Sequence, residues 1–344
     1  MIQIMKAIFY TTLTVGLLVV SISLYGQNLP QLKQKAQQGN ANAQYELAKL
    51  YYFGEKVPQN LEKCAFWLKK SAQQGDANAQ RVLGELYYNG EGVSRNFYKA
   101  VLWYEKSAKQ GNEEALLNLG MMYLRGQGVE QNAKKGFELV NQSADKGNVK
   151  AQGNIAIFYK KGIGTAPNIY KAFSWMKKAA EGGDAKSQCN LGVMYDDGDG
   201  TLKNKEKAFY WYQKSAKQGH MLGQYHLAEM YIRGIGTLHN PKKALYWYEK
   251  SAQQGYTEAQ NLAGLMYYQG KVVPKNLHKA FELFKKGANQ AHANCQFSLA
   301  NLYFFGEGTL TNKRKAAYWL KKAYENKHPH AKKMWDDLEM WKYE

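Results

Sequence analysis

Two serines in this chain stand three residues before a lysine, a spacing that could support acyl transfer. Ser143 precedes Lys146, and Ser174 precedes Lys177. In Ser-x-x-Lys hydrolases the serine is the nucleophile, and the motifs Ser-Asp-Asn and Lys-Thr-Gly complete the site. Neither companion motif occurs in this sequence, and lysine is frequent enough for such pairs to arise by chance. We therefore predict that the protein is not an enzyme, and we assign no catalytic residue.

The cysteines and histidines do not have the spacing of a metal site. The chain has three cysteines and seven histidines, and they are scattered apart from two histidines that flank Pro329. The motif Gly-x-Gly recurs along the chain, but a dinucleotide site needs a third glycine and a preceding strand. A helical pattern precedes the motif here. We therefore expect neither a metal nor a cofactor.

All of these residues are positioned by a 36-residue repeat, which runs from about Ala43 to Ala323 without insertion or deletion. Glycine returns at that interval at Gly54, Gly90, Gly126, Gly162, Gly198, Gly234, Gly270 and Gly306. A tyrosine always lies three residues before this glycine, and an asparagine six residues after it. A period of this length is typical of a solenoid, in which each unit packs only on its neighbours. Solenoids usually hold partners rather than turn over substrates.

Each repeat is predicted to fold as two helices. In the second repeat, residues 76–89 carry apolar residues at 3.6-residue spacing, which predicts an amphipathic helix A. Gly90 can end this helix in a left-handed conformation. Asn96 is a suitable N-cap for helix B, which is expected to end before Gly111.

A lysine occupies the fourth position of every helix B, counting the asparagine as the first. These lysines are Lys63, Lys99, Lys135, Lys171, Lys207, Lys243, Lys279 and Lys315. A positive charge near a helix N-terminus is mildly unfavourable. We expect the aliphatic stem to compensate by covering an aromatic ring of the adjoining repeat.

The chain ends differ from the repeats and set the predicted domain boundaries. Residues 1–26 have a single charge, Lys6, and an apolar stretch over 7–25, which favours a cleaved signal peptide over a membrane anchor. Capping helices are predicted at 27–39 and 328–344. The eight repeats are predicted at 40–75, 76–111, 112–147, 148–183, 184–219, 220–255, 256–291 and 292–327. We expect a periplasmic or secreted protein. The alternative is a protein anchored in the membrane by residues 7–25.

The repeat resembles the Sel-one-like repeat (SLR) family, a relative of the tetratricopeptide repeats (TPR). The resemblance lies in Ala-x-x-x-Leu-Gly-x-x-Tyr-x-x-Gly-x-Gly followed by Asn-x-x-Lys-Ala-x-x-Trp-Tyr-x-Lys-Ser-Ala-x-x-Gly, over about residues 30–330. It implies an all-α fold, a right-handed superhelical solenoid of αα-hairpins with helix A on the inner surface. It also implies an adaptor function in protein complexes. Some cysteine-rich relatives are described as β-lactamases, so a hydrolase remains an alternative.

The resemblance places ligand contacts on the inner face of helix A, at the positions that vary between repeats. We call the candidate residues the helix A stripe: Tyr45, Tyr52, Arg81, Tyr88, Leu117, Met121, Leu124, Ile157, Tyr225, Ile232, Tyr268, Phe297 and Phe304. The stripe is apolar and aromatic, which is typical of protein or peptide sites. Packing between neighbouring A helices is the other interpretation. A cell-wall glycan is an alternative ligand.

The charge suggests a second surface. The net charge is +19, and much of it lies in helix B. A basic outer face would attract an anionic envelope polymer or lipid, or would simply be solvated. Because the predicted signal peptide implies export, nucleic acid is not an expected partner.

Overall fold

The computed structural model describes residues 28–344, and the predicted signal peptide at 1–26 lies outside them. The described residues form 18 α-helices and one short 3-10 helix, Met340–Tyr343, with no strand among them. The α-helices are α1 Leu29–Gln37, α2 Ala41–Phe53, α3 Leu61–Gln73, α4 Ala77–Asn89, α5 Phe97–Lys109, α6 Glu113–Arg125, α7 Ala133–Asp145, α8 Val149–Lys161, α9 Ile169–Glu181, α10 Ala185–Asp197, α11 Lys205–Lys217, α12 Met221–Arg233, α13 Pro241–Gln253, α14 Thr257–Gln269, α15 Leu277–Asn289, α16 Ala293–Phe305, α17 Lys313–Glu325 and α18 Ala331–Asp337.

The helices from α2 to α17 form eight hairpins, one for each sequence repeat. The even-numbered helix of each hairpin is helix A and the odd-numbered one is helix B, and each spans 13 residues. Helix α1 precedes the first hairpin, and α18 with the 3-10 helix follows the last. The prediction of an all-α fold built from αα-hairpin repeats is therefore confirmed.

The chain divides into two compact units. Among the described residues, unit 1 comprises 28–151 with Ile163–Thr165, and unit 2 comprises Gln152–Gly162 with Ala166–Glu344. The core of unit 1 includes the buried side chains of Leu47 and Leu83. The core of unit 2 runs continuously from Ala156 to Met340 and is built from alanine, leucine and aromatic residues of successive hairpins. Within each unit, the helices therefore bury their apolar faces against helices of the same and the adjacent repeats.

Caps fix the helix ends on both sides of the turn in each hairpin. The asparagine before every helix B accepts a hydrogen bond from the backbone N–H three residues later, at 2.7–2.9 Å, as predicted. The first glycine of each Gly-x-Gly position follows helix A with φ between 64° and 80°. That left-handed conformation is costly for other residues, so the recurring glycine is a helix terminator.

The second glycine of the motif has a different role, because it packs against the preceding repeat. At Gly236, φ is 66°, and a Cβ atom would lie 2.5 Å from the carbonyl oxygen of Lys205, the first residue of α11. At Gly200, an added Cβ atom would lie 2.4 Å from the carbonyl oxygen of Ile169. In the first repeat Lys56 occupies this position with φ 59°. The second glycine thus allows the loop to approach the start of the previous helix B.

The helix B lysines stack on tyrosines, but not on those predicted. Each lysine ammonium lies 4.2–5.5 Å from the ring centre of the tyrosine three residues before the first glycine. This tyrosine belongs to helix A of the same repeat, so the expectation of a ring in the adjoining repeat is wrong. The reason is the hairpin turn, which places the first turn of helix B beside the last turn of helix A. The cation–π contact helps to offset the unfavourable charge at the helix N-terminus.

A buried glutamine in helix A of six hairpins bonds the helix that precedes it. Gln80, for example, donates from Nε2 to the carbonyl of Ala72 in the preceding helix B, at 3.0 Å, and accepts from Nε2 of Gln110, at 2.8 Å. The equivalent residues are Gln44, Gln188, Gln224, Gln260 and Gln296. Leu116 takes the position in the third repeat. A buried amide is stable only when its polar atoms are satisfied, and this pairing satisfies them.

Candidate functional site

All thirteen residues of the helix A stripe lie on helix A of their repeats. Seven lie on α2, α4 and α6 of unit 1, and six lie on α8, α12, α14 and α16 of unit 2. Arg81 and Leu117 are buried, with 9% of their surface exposed, and the other eleven are half-buried. The stripe therefore combines packing between repeats with a partly accessible apolar surface.

Several stripe tyrosines are tied to the following repeat. The hydroxyl of Tyr52 donates to Glu91 at 3.3 Å, and that of Tyr268 donates to Glu307 at 2.8 Å. Tyr88 donates to Gln127 at 3.1 Å. In each case the acceptor lies directly after the first glycine of the next repeat. These contacts orient the three rings, and each residue remains half-buried.

Arg81 is held by an ion-pair network inside unit 1. Its guanidinium contacts Glu85 at 2.7 Å and Glu114 at 3.0 Å. Burial raises the pKa of Glu85, while Arg81 opposes that shift. Because both carboxylates already contact Arg81, its main role in the structure is to join α4 to α6. A depression beside it is lined by Tyr45, Tyr52 and residues of α3.

A cavity in unit 2 adjoins the stripe at Tyr225 and has a volume of about 310 Å³. Its lining residues come from α10 to α12 and from the loop that follows α12: Asp196, Lys205, Tyr212, Tyr225, His226, Glu229, Met230, Arg233 and Ile235. His226 stacks on Tyr212, with ring centres 4.9 Å apart. Aromatic rings and charges of both signs thus surround one concavity, an arrangement suited to a polar peptide segment.

The charges around this cavity are partly satisfied from within. Lys205 bonds Asp196 at 2.6 Å, and the hydroxyl of Tyr248 donates to Glu229. Burial lowers the pKa of His226 and raises that of Tyr225 to about 12, so both rings are neutral near neutral pH. The Asp196–Lys205 pair neutralises one wall of the cavity, while Arg233 supplies an exposed positive charge at its rim.

The structure gives the Ser-x-x-Lys serines different environments. Ser143 is fully buried, and its hydroxyl donates to the carbonyl of Glu113 at 2.7 Å. The same bond recurs in four other repeats, at Ser71, Ser107, Ser215 and Ser251. This hydroxyl therefore joins helix B to the start of helix A in its own repeat. Ser174 is exposed on α9, and Lys177 lies 3.8 Å from Glu181.

The three cysteines are buried and lie in separate repeats. Burial raises the pKa of each thiol to about 12, so they are protonated at neutral pH. Among residues 28–344 no group of three or more His, Cys, Asp and Glu side chains is arranged to hold a metal ion. Within the same span, no helix is long and apolar enough to cross a membrane.

Sequence reasoning did not select two aromatic residues of the cavity, Tyr212 and His226. Tyr212 occupies a buried position of helix B at which other repeats have leucine, for example Leu68 and Leu320. The change of this position from an aliphatic to an aromatic residue between consecutive repeats is the signal that could have identified Tyr212. Because the stripe was defined on helix A alone, a helix B residue that reaches the same cavity was missed.

A histidine that caps a helix in unit 2 leads us to expect that acid lowers the stability of this unit. At the start of α12, Nδ1 of His220 accepts a hydrogen bond from the N–H of Gly223 at 3.2 Å, where five other repeats use Asn or Asp. Burial lowers the pKa of His220, with Asp184 opposing and Lys186 reinforcing the shift. A protonated imidazole cannot accept this bond. Because the unfolded chain binds protons more readily, stability is complete above the unfolded pKa, about 6.5, and falls as the pH drops below it.

We therefore expect the melting temperature to decrease between about pH 7.5 and about pH 5, either side of the histidine pKa. His220→Asn provides an acceptor at every pH. It should therefore recover about 1 kcal/mol of the free energy of unfolding that the wild type loses over this pH range. His278→Asn, on an exposed histidine, is the control. Calorimetry across the pH range measures the effect, and equal slopes for the wild type and His220→Asn would contradict it.

The comparisons with known proteins agree with this architecture. A model described as Sel1 repeat matches 41–76, 77–112, 113–148, 149–184, 185–220, 222–256, 257–292 and 293–328. A protective antigen of uropathogenic Escherichia coli strains that displays an SLR fold is 37% identical, with a TM-score of 0.80 over 89% of this chain. The chain covers 66% of that relative, somewhat less than two thirds of its length.

A Sel1 repeat protein from Oxalobacter formigenes is 31% identical, with a TM-score of 0.67 over 93% of each chain. No curated protein matches the sequence. The eight matched segments account for most of the chain, and they follow the hairpins and caps described above. This protein therefore belongs to the Sel1 repeat family.

Proposed function

We propose that the protein is a non-catalytic scaffold that binds a protein or peptide partner on the helix A stripe. Sel1 repeat proteins are typically scaffolds for protein interactions, and this chain has that fold. The observation that carries the proposal is the cavity at Tyr225, where aromatic rings and unlike charges surround about 310 Å³. Such a concavity can bury a side chain of an extended partner while its rim charges orient the main chain.

The half-buried state of the stripe supports binding as well as packing. Ile232 and Tyr268 lie at equivalent positions of α12 and α14, and each leaves part of its side chain accessible. Rings that are already oriented by their neighbours lose little conformational entropy on binding. A partner crossing α12 and α14 would therefore cover a surface that is ready in the free protein.

The proposal is tested by comparing two triple variants of unit 2. The stripe variant is Tyr225→Ala/Ile232→Ala/Tyr268→Ala, and the control is Tyr210→Ala/Tyr246→Ala/Tyr318→Ala on exposed helix B positions. Partners captured from cell extract are identified, and their affinity is then measured with the purified proteins. We expect the stripe variant to bind at least about 30-fold more weakly, the loss of one interface hot spot, and the control to match the wild type.

Both variants should keep a cooperative melting transition, which shows that the repeats still fold. If the stripe variant is folded and binds every identified partner with unchanged affinity, the proposed site is wrong. Binding to purified cell-wall sacculi that the stripe substitutions abolish would instead favour the glycan alternative. We also propose export, on the sequence of residues 1–26 alone; the affinity comparison does not depend on it.

A further inference from the structure

Three leucines in unit 2 project into solvent from equivalent loops. Leu202, Leu238 and Leu310 are 88%, 87% and 87% exposed, although leucine is normally a core residue. Each lies two residues after the second glycine, in the loop between helix A and helix B of its repeat. At the corresponding positions, unit 1 has Pro58, Ser94 and Glu130.

These loops are also strongly basic. The segments compared run from the first glycine into the first turn of helix B, and in unit 2 they are 198–208, 234–244, 270–280 and 306–316. Together they contain eleven Lys or Arg and three Asp or Glu. The three matching segments of unit 1 contain six Lys or Arg and four Asp or Glu. The protruding leucines and the excess positive charge therefore occur together on one part of the chain.

The hairpins of unit 2 follow one another in the same direction, so their A-to-B loops line the same edge of the unit. We name this surface, with its three leucines and surrounding lysines, the basic loop edge. The leucines are separated from each other by at least one repeat and do not form a continuous apolar patch. Isolated aliphatic side chains among cations are suited to a bilayer surface. There, each leucine side chain can enter the acyl region, and each cation can contact an anionic headgroup.

We propose that the basic loop edge of unit 2 binds an anionic lipid bilayer by inserting Leu202, Leu238 and Leu310. The binding is peripheral and reversible, because it combines a few buried side chains with electrostatic attraction. The three inserted leucines belong neither to the helix A stripe nor to the cavity lining, so the proposal goes beyond the scaffold function and can fail separately. A scaffold held this way would present its partner at the membrane surface.

Helix B offers a competing surface in the same repeats. Tyr210, Tyr246 and Tyr318 are 48–55% exposed, and each ring contacts the adjacent tryptophan edge-on. Lys214 and Lys250 lie over the first two of these rings. Much of each tyrosine is thus already covered within the protein, while the loop leucines are nearly bare. The two sets, taken from the same three repeats, make a matched pair for experiment.

The test uses a local probe in the full chain, because the apolar residues 7–25 would affect bulk sedimentation of every variant. An environment-sensitive fluorophore is attached to Leu238→Cys, and the three native thiols are buried and protected. We expect the emission to shift to the blue with phosphatidylglycerol–phosphatidylethanolamine vesicles and not with phosphatidylcholine vesicles. The shift should be lost near 1 M salt, where the Debye length is about 3 Å.

In the labelled chain, Leu202→Ser/Leu310→Ser should weaken vesicle binding at least about 30-fold, since burial of one leucine is worth about tenfold or more. Tyr210→Ser/Tyr318→Ser should leave it unchanged. The proposal is overturned if the tyrosine pair weakens binding and the leucine pair does not, which would assign the contact to helix B. It is equally overturned if no vesicle shifts the probe, or if a soluble polyanion shifts it as fully as the vesicles do.

Discussion

Gly236→Ala should lower the free energy of unfolding by about 3 kcal/mol or more, the combined cost of a left-handed alanine and an overpacked contact. The backbone at Gly236 has φ 66°, and an added Cβ would lie 2.5 Å from the carbonyl oxygen of Lys205. That oxygen belongs to the first turn of α11 and cannot move without shifting one hairpin against the next. Chemical denaturation of the purified variant measures the loss.

Gly219→Ala is the matched control for this substitution. Gly219 also has a positive φ, 86°, but no heavy atom lies within 4 Å of the position that its Cβ would occupy. Its cost should therefore be about 1–2 kcal/mol, the backbone strain alone. Equal denaturation midpoints for the two variants would show that the close approach of the loop to α11 does not contribute to stability.

Gln80→Leu should lower the free energy of unfolding by about 2 kcal/mol, because it removes two hydrogen bonds made by a buried amide, each worth about 1 kcal/mol. The carbonyl of Ala72 loses one of its two donors and keeps the N–H of Gly75, and the amide of Gln110 loses one of its acceptors and keeps the carbonyl of Gly75. Leucine has nearly the same volume as glutamine, so little of the loss comes from packing. Denaturation midpoints measured with the wild type, both single variants and the double variant give the coupling energy.

The double variant Gln80→Leu/Gln110→Leu should be less destabilised than the sum of Gln80→Leu and Gln110→Leu, since the two side chains share a hydrogen bond. The third repeat, which has Leu116 at this position, shows that the fold can accept an apolar residue here. Strict additivity of the two single substitutions would mean that the 2.8 Å contact carries no measurable energy.

Sequence predicted the elements of this fold because their determinants are local. The terminating glycine at Gly90 and the N-cap at Asn96 act within a few residues of the helix end that they define, so one repeat was enough to recognise them. The partner of the helix B lysine depends on how the hairpin closes, and the prediction for Lys99 therefore chose the wrong ring. The glutamine network connects residues 8 and 30 positions apart, as at Gln80, and its meaning is visible only when both contacts are known.

The candidate site could be predicted as a face but not as a set of contacts. The spacing along α4 placed Arg81 and Tyr88 on one stripe, yet Arg81 is buried by Glu85 and Glu114 while Tyr88 remains half-exposed. A periodic pattern gives the direction in which a side chain leaves its helix. It does not give the position of the neighbouring repeat, which decides how much of that side chain remains accessible.

The glutamine and serine hydrogen bonds also bear on how such a chain can change its length during evolution. Each described bond of these two sets reaches only its own or the preceding hairpin, at separations of 8 or 30 residues. Duplication of a 36-residue block would copy every donor together with its acceptor, and removal of one block would rejoin equivalent partners. Insertion or loss of any other length within a hairpin would separate them. The array can therefore grow or shorten by whole repeats, and a new junction between repeats that carry these glutamines and serines repeats the bonds of the old one.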